Sequence, residues 1–141
     1  MNSLQKGVTK MKKNGIINSE LNRVIAEMGH KDSLVLADCG LPIPKEVERV
    51  DLSLIKGYPE FLKILKAVLN DLVVEKVILA AEIKEQSPEL EEKILALLPD
   101  VEVEYIPHAE FKRETNNSRA VVRSGEIIPF ANIILISGVD F

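Results

Sequence analysis

The chain has 141 residues, 46% hydrophobic and 28% charged, which fits one ordered domain and excludes a largely disordered protein. Its 18 Lys+Arg and 22 Asp+Glu residues give a net charge of −4 with no basic cluster, which argues against a nucleic-acid partner. A single cysteine, Cys39, excludes an internal disulfide, and no Cys/His spacing typical of zinc ligands occurs.

The first ten residues lie outside the pattern of the rest. They contain no apolar run of the signal-peptide type, and the chain has no apolar stretch of about 18 residues that would indicate a membrane protein. Met11 is a second candidate start, and the sequence does not decide between it and Met1. We therefore expect residues 1–10 to be a flexible extension and residues 11–141 to form the one domain of a cytoplasmic protein.

The amino-terminal third predicts one helix and two strands. Asn18 is an N-cap residue type, and apolar residues then recur at helical spacing up to a stop at Gly29. Residues 34–37 are all apolar, which is typical of a strand buried on both faces. Glycine and prolines keep residues 40–44 out of a helix, and the alternating residues 50–54 predict another short strand.

The rest of the chain alternates helices with strands. Apolar spacing predicts a helix from Pro59 to Leu72, a β-branched strand over residues 73–81, and a helix from Ser87 to Leu98. The later predicted elements are a strand over 101–106, helical turns over 109–115, and strands over 120–123 and 133–137. This alternation predicts a single-domain α/β three-layer sandwich around a mostly parallel central sheet.

Ligands of such a sheet bind beyond the carboxyl ends of its strands. Asp38 and His108 each directly follow a predicted strand end. His30 lies between the first helix and the first strand, and we expect its ring to project into the same crevice, where an imidazole suits proton transfer. Each residue also fits a structural role: the histidines as helix caps, and Asp38 as an acceptor for loop N–H groups.

Phe130, Ala131 and Asn132 precede the last predicted strand. They offer an apolar ring and a hydrogen-bonding amide, but they equally fit a core phenylalanine and a turn asparagine. Residues 123–126, Arg-Ser-Gly-Glu, fit either an anion site or, more commonly, a solvated turn with an Arg/Glu pair. No glycine-rich nucleotide motif is present, and the two histidines do not have metal-ligand spacing, so we expect neither a cofactor nor a metal.

Several segments carry a resemblance to a known family. They are Gly29-His30-Lys31-Asp32, Ala-Asp-Cys-Gly-Leu-Pro-Ile-Pro at 37–44, His-Ala-Glu-Phe-Lys at 108–112, Val-Arg-Ser-Gly-Glu at 122–126 and Ala-Asn-Ile-Ile-Leu at 131–135. From about Met11 to Phe141 the chain resembles the bacterial D-ribose pyranase family. The resemblance implies a ribose pyranase-like fold and a cofactor-independent cytoplasmic isomerase that interconverts the β-pyranose and β-furanose forms of free D-ribose.

The same resemblance implies residue roles and an assembly. The family's proton donor falls on His30, and its substrate-binding residues fall on Asp38, His108, Phe130, Ala131 and Asn132. The family triplet commonly begins with tyrosine, so Phe130 lacks a hydroxyl that could contact the sugar. The implied assembly is a homodecamer of two pentameric rings with sites at subunit boundaries.

Two other functions stay compatible with the sequence. One is an L-fucose-type mutarotase, because the side chains that select the sugar cannot be arranged in space from the sequence. The other is a noncatalytic sugar-binding partner of a transporter or kinase.

Overall fold

The computed structural model describes residues 11–141, and the expected extension lies outside them. The helices are α1 (Ser19–Glu27), α2 (Phe61–Asp71), α3 (Ile83–Gln86), α4 (Pro88–Ala96) and α5 (His108–Glu114), the last followed by a 3-10 turn at Thr115–Asn117. The strands are β1 (Ser33–Ala37), β2 (Glu48–Asp51), β3 (Val74–Ala80), β4 (Glu102–Ile106), β5 (Ala120–Arg123) and β6 (Ile133–Ser137). The predicted cap of α1 is confirmed, since Asn18 Oδ1 accepts the Leu21 N–H at 2.9 Å.

Two elements differ from the sequence prediction. The strand predicted over residues 50–54 is wrong in position, since β2 covers Glu48–Asp51. The Asp51 carboxylate accepts the Ser53 N–H at 3.0 Å, and the resulting turn ends the strand. The short helix α3 was not predicted, since its four residues are too few to display a helical period.

The strands form a mostly parallel sheet in the order β2-β5-β1-β6-β3-β4. The predicted fold class is thereby confirmed, with one antiparallel strand: β6 runs opposite to its neighbours β1 and β3. We call the side where β1 to β5 end the carboxyl edge, and the opposite side the amino edge. Because β6 is reversed, it begins at the carboxyl edge and ends at the amino edge.

Helices cover both faces of the sheet. Side chains alternate between the faces along each strand, so one face receives Leu34 and Leu36 and the other Val35 and Ala37. Residues of α1, α2 and α4 pack on the first face, and α5 packs on the second face through Phe111. Burial on both sides explains why residues 34–37 are all apolar.

Gly125, just after β5, lies against the loop that precedes α2. Its N–H donates to the Pro59 carbonyl at 2.9 Å, and its carbonyl accepts the Gly57 N–H at 2.6 Å. A Cβ at Gly125 would lie 2.1 Å from the Tyr58 carbonyl oxygen and 2.6 Å from that of Ile55. Because both neighbours are backbone atoms, Gly125→Ala should lower the free energy of unfolding by about 2–3 kcal/mol, as measured by urea denaturation.

Gly40→Ala is the matched control for Gly125→Ala. The nearest atom to a Cβ at Gly40 is Asp38 Oδ1 at 3.8 Å, an ordinary contact. Its unfolding free energy should therefore stay close to that of the wild type. Equal stability of the two variants would contradict the backbone contact at Gly125.

Candidate functional site

A cleft of about 440 Å³ opens at the carboxyl edge, between the ends of β1 and β4 and the start of β6. Its lining residues are Asp38, Gly40, Leu41, Pro42, His108, Lys112, Pro129, Phe130 and Asn132. Four of the residues predicted to bind a ligand are therefore brought together. Ala131, the fifth, is fully buried and serves as backbone between two lining residues.

Asp38 and Asn132 are joined by two hydrogen bonds across the β1–β6 pair. The Asp38 N–H donates to Asn132 Oδ1 at 2.9 Å, and Asn132 Nδ2 donates to Asp38 Oδ2 at 3.2 Å. Asp38 Oδ1 accepts the Gly40 N–H at 3.0 Å. The structural role foreseen for Asp38 thus coexists with a place in the cleft, where each carboxylate oxygen keeps a lone pair for a ligand.

Partial burial changes the acidity of Asp38. Desolvation raises the pKa of this carboxyl above its ordinary value, while hydrogen bonds from Gly40 and Asn132 and the nearby His108 act in the opposite direction. The net shift is upward because the cost of removing the charge from water is the largest contribution. Asp38 is consequently a better proton acceptor than an exposed aspartate.

His108 is the first residue of α5 and is held from several sides. Its backbone N–H donates to the Glu82 carboxylate at 2.9 Å, and its ring lies edge-on to Phe130 and stacked over Phe111, at centroid distances of 5.0 and 6.3 Å. The ring Nδ1 is buried and has no hydrogen-bond partner among the described residues. A hydrogen carried on the other ring nitrogen, Nε2, would make His108 a donor towards a ligand.

Phe130 combines a core position with a place in the cleft wall. It is half-buried and packs against the hydrophobic clusters on both faces of the sheet. Its φ of 63° lies in the left-handed region, which is costly for a residue with a Cβ. The Asn132 N–H donates to the Phe130 carbonyl at 2.9 Å, and this tight turn aims both side chains at the cleft.

Residues 123–126 do not form the solvated Arg/Glu turn favoured from the sequence. Glu126 is 93% buried, and its carboxylate accepts the N–H groups of Phe61 at 3.1 Å, Ile127 at 3.1 Å and Ile128 at 3.3 Å. Arg123 instead contacts Asp51 at 3.1 Å. Glu126 anchors the loop that leads to Phe130, and nothing in the sequence indicates this role, because its partners are backbone groups and leave no pattern of side chains.

His30 lies at the amino edge, so the expectation that its ring shares the cleft with Asp38 is wrong within one chain. His30 precedes β1 and Asp38 follows it, and the five residues of that strand separate the two by roughly 17 Å. The reversal of β6 brings Asn132 to the carboxyl edge and leaves its far end beside His30. There His30 Nε2 lies 2.9 Å from Glu75 Oε1.

Two further features are absent from residues 11–141. No group of three or more His, Cys, Asp or Glu side chains in that range could hold a metal ion. None of the helices found there has both the length and the apolar character needed to cross a membrane.

Comparisons with known proteins identify the family of this chain. Residues 11–140 match the model of the RbsD / FucU transport protein family. The chain is 56% identical over 131 residues to a D-ribose pyranase of Geobacillus thermodenitrificans, covering 93% of this chain and 99% of that one.

Solved structures extend the comparison to three dimensions. The structure of Bacillus subtilis RbsD complexed with D-ribose is 46% identical, with a TM-score of 0.90 over 93% of this chain and 100% of that one. A fucose mutarotase from Streptococcus pneumoniae, in complex with L-fucose, shares the fold, with a TM-score of 0.74 at 22% identity over 89% of this chain and 95% of that one. This chain belongs to the RbsD / FucU transport protein family.

Proposed function

We propose that this protein is an isomerase with D-ribose pyranase activity, which interconverts the β-pyranose and β-furanose forms of free D-ribose. The observation that carries the proposal is the cleft at the carboxyl edge, in a chain 46% identical to a protein solved with D-ribose. Relatives at 56% and 54% identity are named D-ribose pyranases and match almost the full chain.

The chemistry of the cleft suits ring opening of a sugar. Opening requires a proton delivered to the ring oxygen and a proton removed from the anomeric hydroxyl, and reclosure through another hydroxyl gives the other ring size. Asp38, the carboxylate in the cleft, accepts the anomeric proton. His108 and Asn132 hold hydroxyl groups, and the Phe130 ring packs against the apolar face of the sugar.

The proposed proton donor is His30, supplied by a neighbouring copy of the chain. Within one chain His30 is too far from Asp38 to touch the same sugar, and its side chain is 47% exposed and free to meet another subunit. Contact between the carboxyl edge of one copy and the amino edge of the next is a head-to-tail contact, which forms a ring when the rotation between successive copies adds up to a full turn. This arrangement agrees with the homodecamer of two pentameric rings that the family resemblance implies.

Exposed apolar side chains support burial of both edges in such a ring. Beyond the carboxyl edge, Leu54, Ile55 and Ile127 are exposed, and beyond the amino edge Val139 and Phe141 are exposed. Light scattering should report an oligomer, and a stable monomer would overturn this assembly.

The proposal also includes a cytoplasmic location for the protein. This location agrees with the single cysteine, Cys39, being free.

The test of the activity is magnetisation-transfer NMR on D-ribose and on L-fucose. Faster exchange between the pyranose and furanose signals of ribose on addition of the protein is the expected result. Exchange confined to the α and β anomers of fucose would identify a mutarotase instead. Binding of ribose without faster exchange would identify a noncatalytic sugar-binding protein.

The raised pKa of Asp38 predicts how ribose affinity depends on pH. The ionised carboxylate accepts a hydrogen bond from the sugar, so affinity should fall as the pH falls through that raised pKa. The loss should begin above about pH 3.9, where an ordinary aspartate titrates. Calorimetric titration at decreasing pH checks this.

The control for the pH series is Asp38→Asn, which keeps the shape of the protonated carboxyl. It should bind ribose weakly at every pH, without the acid-dependent loss seen in the wild type. A wild-type profile identical in shape to that of Asp38→Asn would contradict the role of the carboxylate.

A further inference from the structure

The His30 ring has a carboxylate partner on the neighbouring element of the amino edge. Glu75 on β3 places Oε1 2.9 Å from His30 Nε2, and its other oxygen accepts a hydrogen bond from the Lys31 ammonium. We propose that Glu75 is a positioning residue that holds the His30 hydrogen on Nε2 and leaves Nδ1 to exchange a proton with the sugar. This inference rests on the proposed function, in which His30 is the proton donor.

The backbone around His30 is held rigidly. Lys31 has a φ of 77°, in the left-handed region, and its N–H donates to the Ser137 carbonyl at 2.9 Å. Asp32 accepts the Gly29 N–H on Oδ2 at 2.8 Å, and its carbonyl accepts the Ser137 N–H at 2.9 Å. A costly backbone conformation kept in place by this many bonds is typical of a preorganised functional turn.

Among residues 11–141, by contrast, the side chain of His30 has one hydrogen-bonded contact, and that contact is Glu75. The rigid turn sets where the ring is attached, and the carboxylate sets how the ring is rotated. Gly138 leaves room for this partner, because a Cβ there would lie 3.3 Å from Glu75 Cβ, which is a tight contact. Within the described part of the chain, Glu75 is thus the side chain that orients the imidazole by a hydrogen bond.

The charge state of Glu75 decides the tautomer of His30. Hydrogen bonds from Lys31, and then from His30, lower the pKa of the Glu75 carboxyl below its ordinary value. An ionised carboxylate carries no hydrogen, so the nitrogen that contacts it must be the donor. A hydrogen on Nε2 leaves the lone pair of the neutral ring on Nδ1.

The proton inventory of the reaction then balances with Nδ1 as the exchanging atom. On opening, Nδ1–H of the imidazolium protonates the ring oxygen as the C1–O bond breaks, and the anomeric hydroxyl gives its proton to Asp38. On reclosure, the attacking hydroxyl returns a proton to Nδ1, and Asp38 returns one to the carbonyl oxygen. Throughout the reaction the hydrogen on Nε2 stays on that nitrogen and keeps its hydrogen bond to Glu75. The ring therefore does not turn between the two half-reactions.

The experiment compares wild-type protein with Glu75→Gln, whose neutral amide can donate or accept. In ¹⁵N NMR of imidazole-labelled full-length protein, wild-type His30 should show the Nε2–H tautomer when neutral, and the variant should lose that preference. The kcat for ribose exchange should fall about tenfold with little change in KM, because the cleft residues that bind ribose belong to the adjoining copy and are unchanged. Glu104→Gln, which removes a comparable 2.7 Å ion pair with Lys76, should leave both measurements unchanged.

The outcomes separate this inference from the proposed function. If His30→Ala is inactive but Glu75→Gln keeps the wild-type kcat and tautomer, the positioning role of Glu75 is overturned alone. An Nδ1–H tautomer in the wild type would overturn it as well. If His30→Ala keeps wild-type exchange, the proposed proton donor is wrong and the inference about Glu75 fails with it.

Discussion

His30→Ala should slow pyranose–furanose exchange of ribose by about 10²–10⁴-fold, the usual contribution of a positioned acid or base. Ribose binding should persist, because Asp38, His108 and Asn132, which line the cleft of the other copy at each shared site, are unchanged. Magnetisation-transfer NMR measures the exchange rate, and calorimetric titration measures the dissociation constant. Wild-type exchange in this variant would remove His30 from the mechanism.

His108→Ala is the informative contrast, since His108 is the other histidine of the chain. It removes a hydrogen-bond donor and the ring that packs on Phe130, both within the cleft. We expect a weaker affinity for ribose in this variant, whereas His30→Ala should change chiefly kcat. The same pattern of kcat and KM in both variants would contradict the separation of donor and binding residues between two edges.

Mixing two inactive variants should restore activity if each site takes His30 from one copy and Asp38 from another. Oligomers formed from equal amounts of His30→Ala and Asp38→Ala chains would contain sites in which both contributors are intact. With random assembly in a ring, about a quarter of the sites have that composition, so about a quarter of the wild-type activity should return. Exchange is measured by NMR on co-refolded protein, with mass spectrometry to establish that mixed oligomers formed.

The control mixture combines Asp38→Ala with His108→Ala. Both residues line the cleft of the same chain, so every cleft in the mixture lacks one of them. No activity beyond that of the two separate variants should appear. Equal recovery in the two mixtures, or none in mixed oligomers of the first, would contradict a site shared between subunits.

Most of the elements follow from local sequence. Asn18 caps α1 as its residue type predicts, and the apolar residues 34–37 form a strand buried on both faces. The grouping of Asp38 and His108 at one edge was also predictable, because each follows the end of a strand in a mostly parallel sheet. These features depend on residue types and on spacing along the chain, both of which the sequence displays.

Local sequence patterns did not indicate which polar groups pair when they are far apart along the chain. Glu126 is read from the sequence as part of a solvated turn, yet it binds the N–H of Phe61, 65 residues away along the chain. His30 and Glu75 are separated by 45 residues, and nothing near either one indicates the other. The contact between His30 and Glu75 depends on how β1, β3 and β6 are ordered in the sheet, and local patterns do not encode that order.

The sequence by itself determined the class of fold, the order of most of its helices and strands, and four of the residues that line the cleft, Asp38, His108, Phe130 and Asn132. Only the tertiary structure decided that β6 is antiparallel to its neighbours, which brings Asn132 to Asp38 and leaves His30 at the opposite edge. The physical reason is that side-chain periodicity reports which face of a strand is buried, and it is the same for either strand direction. Direction is set by pairing with distant strands, and that pairing separates the proposed proton donor from the cleft of its own chain.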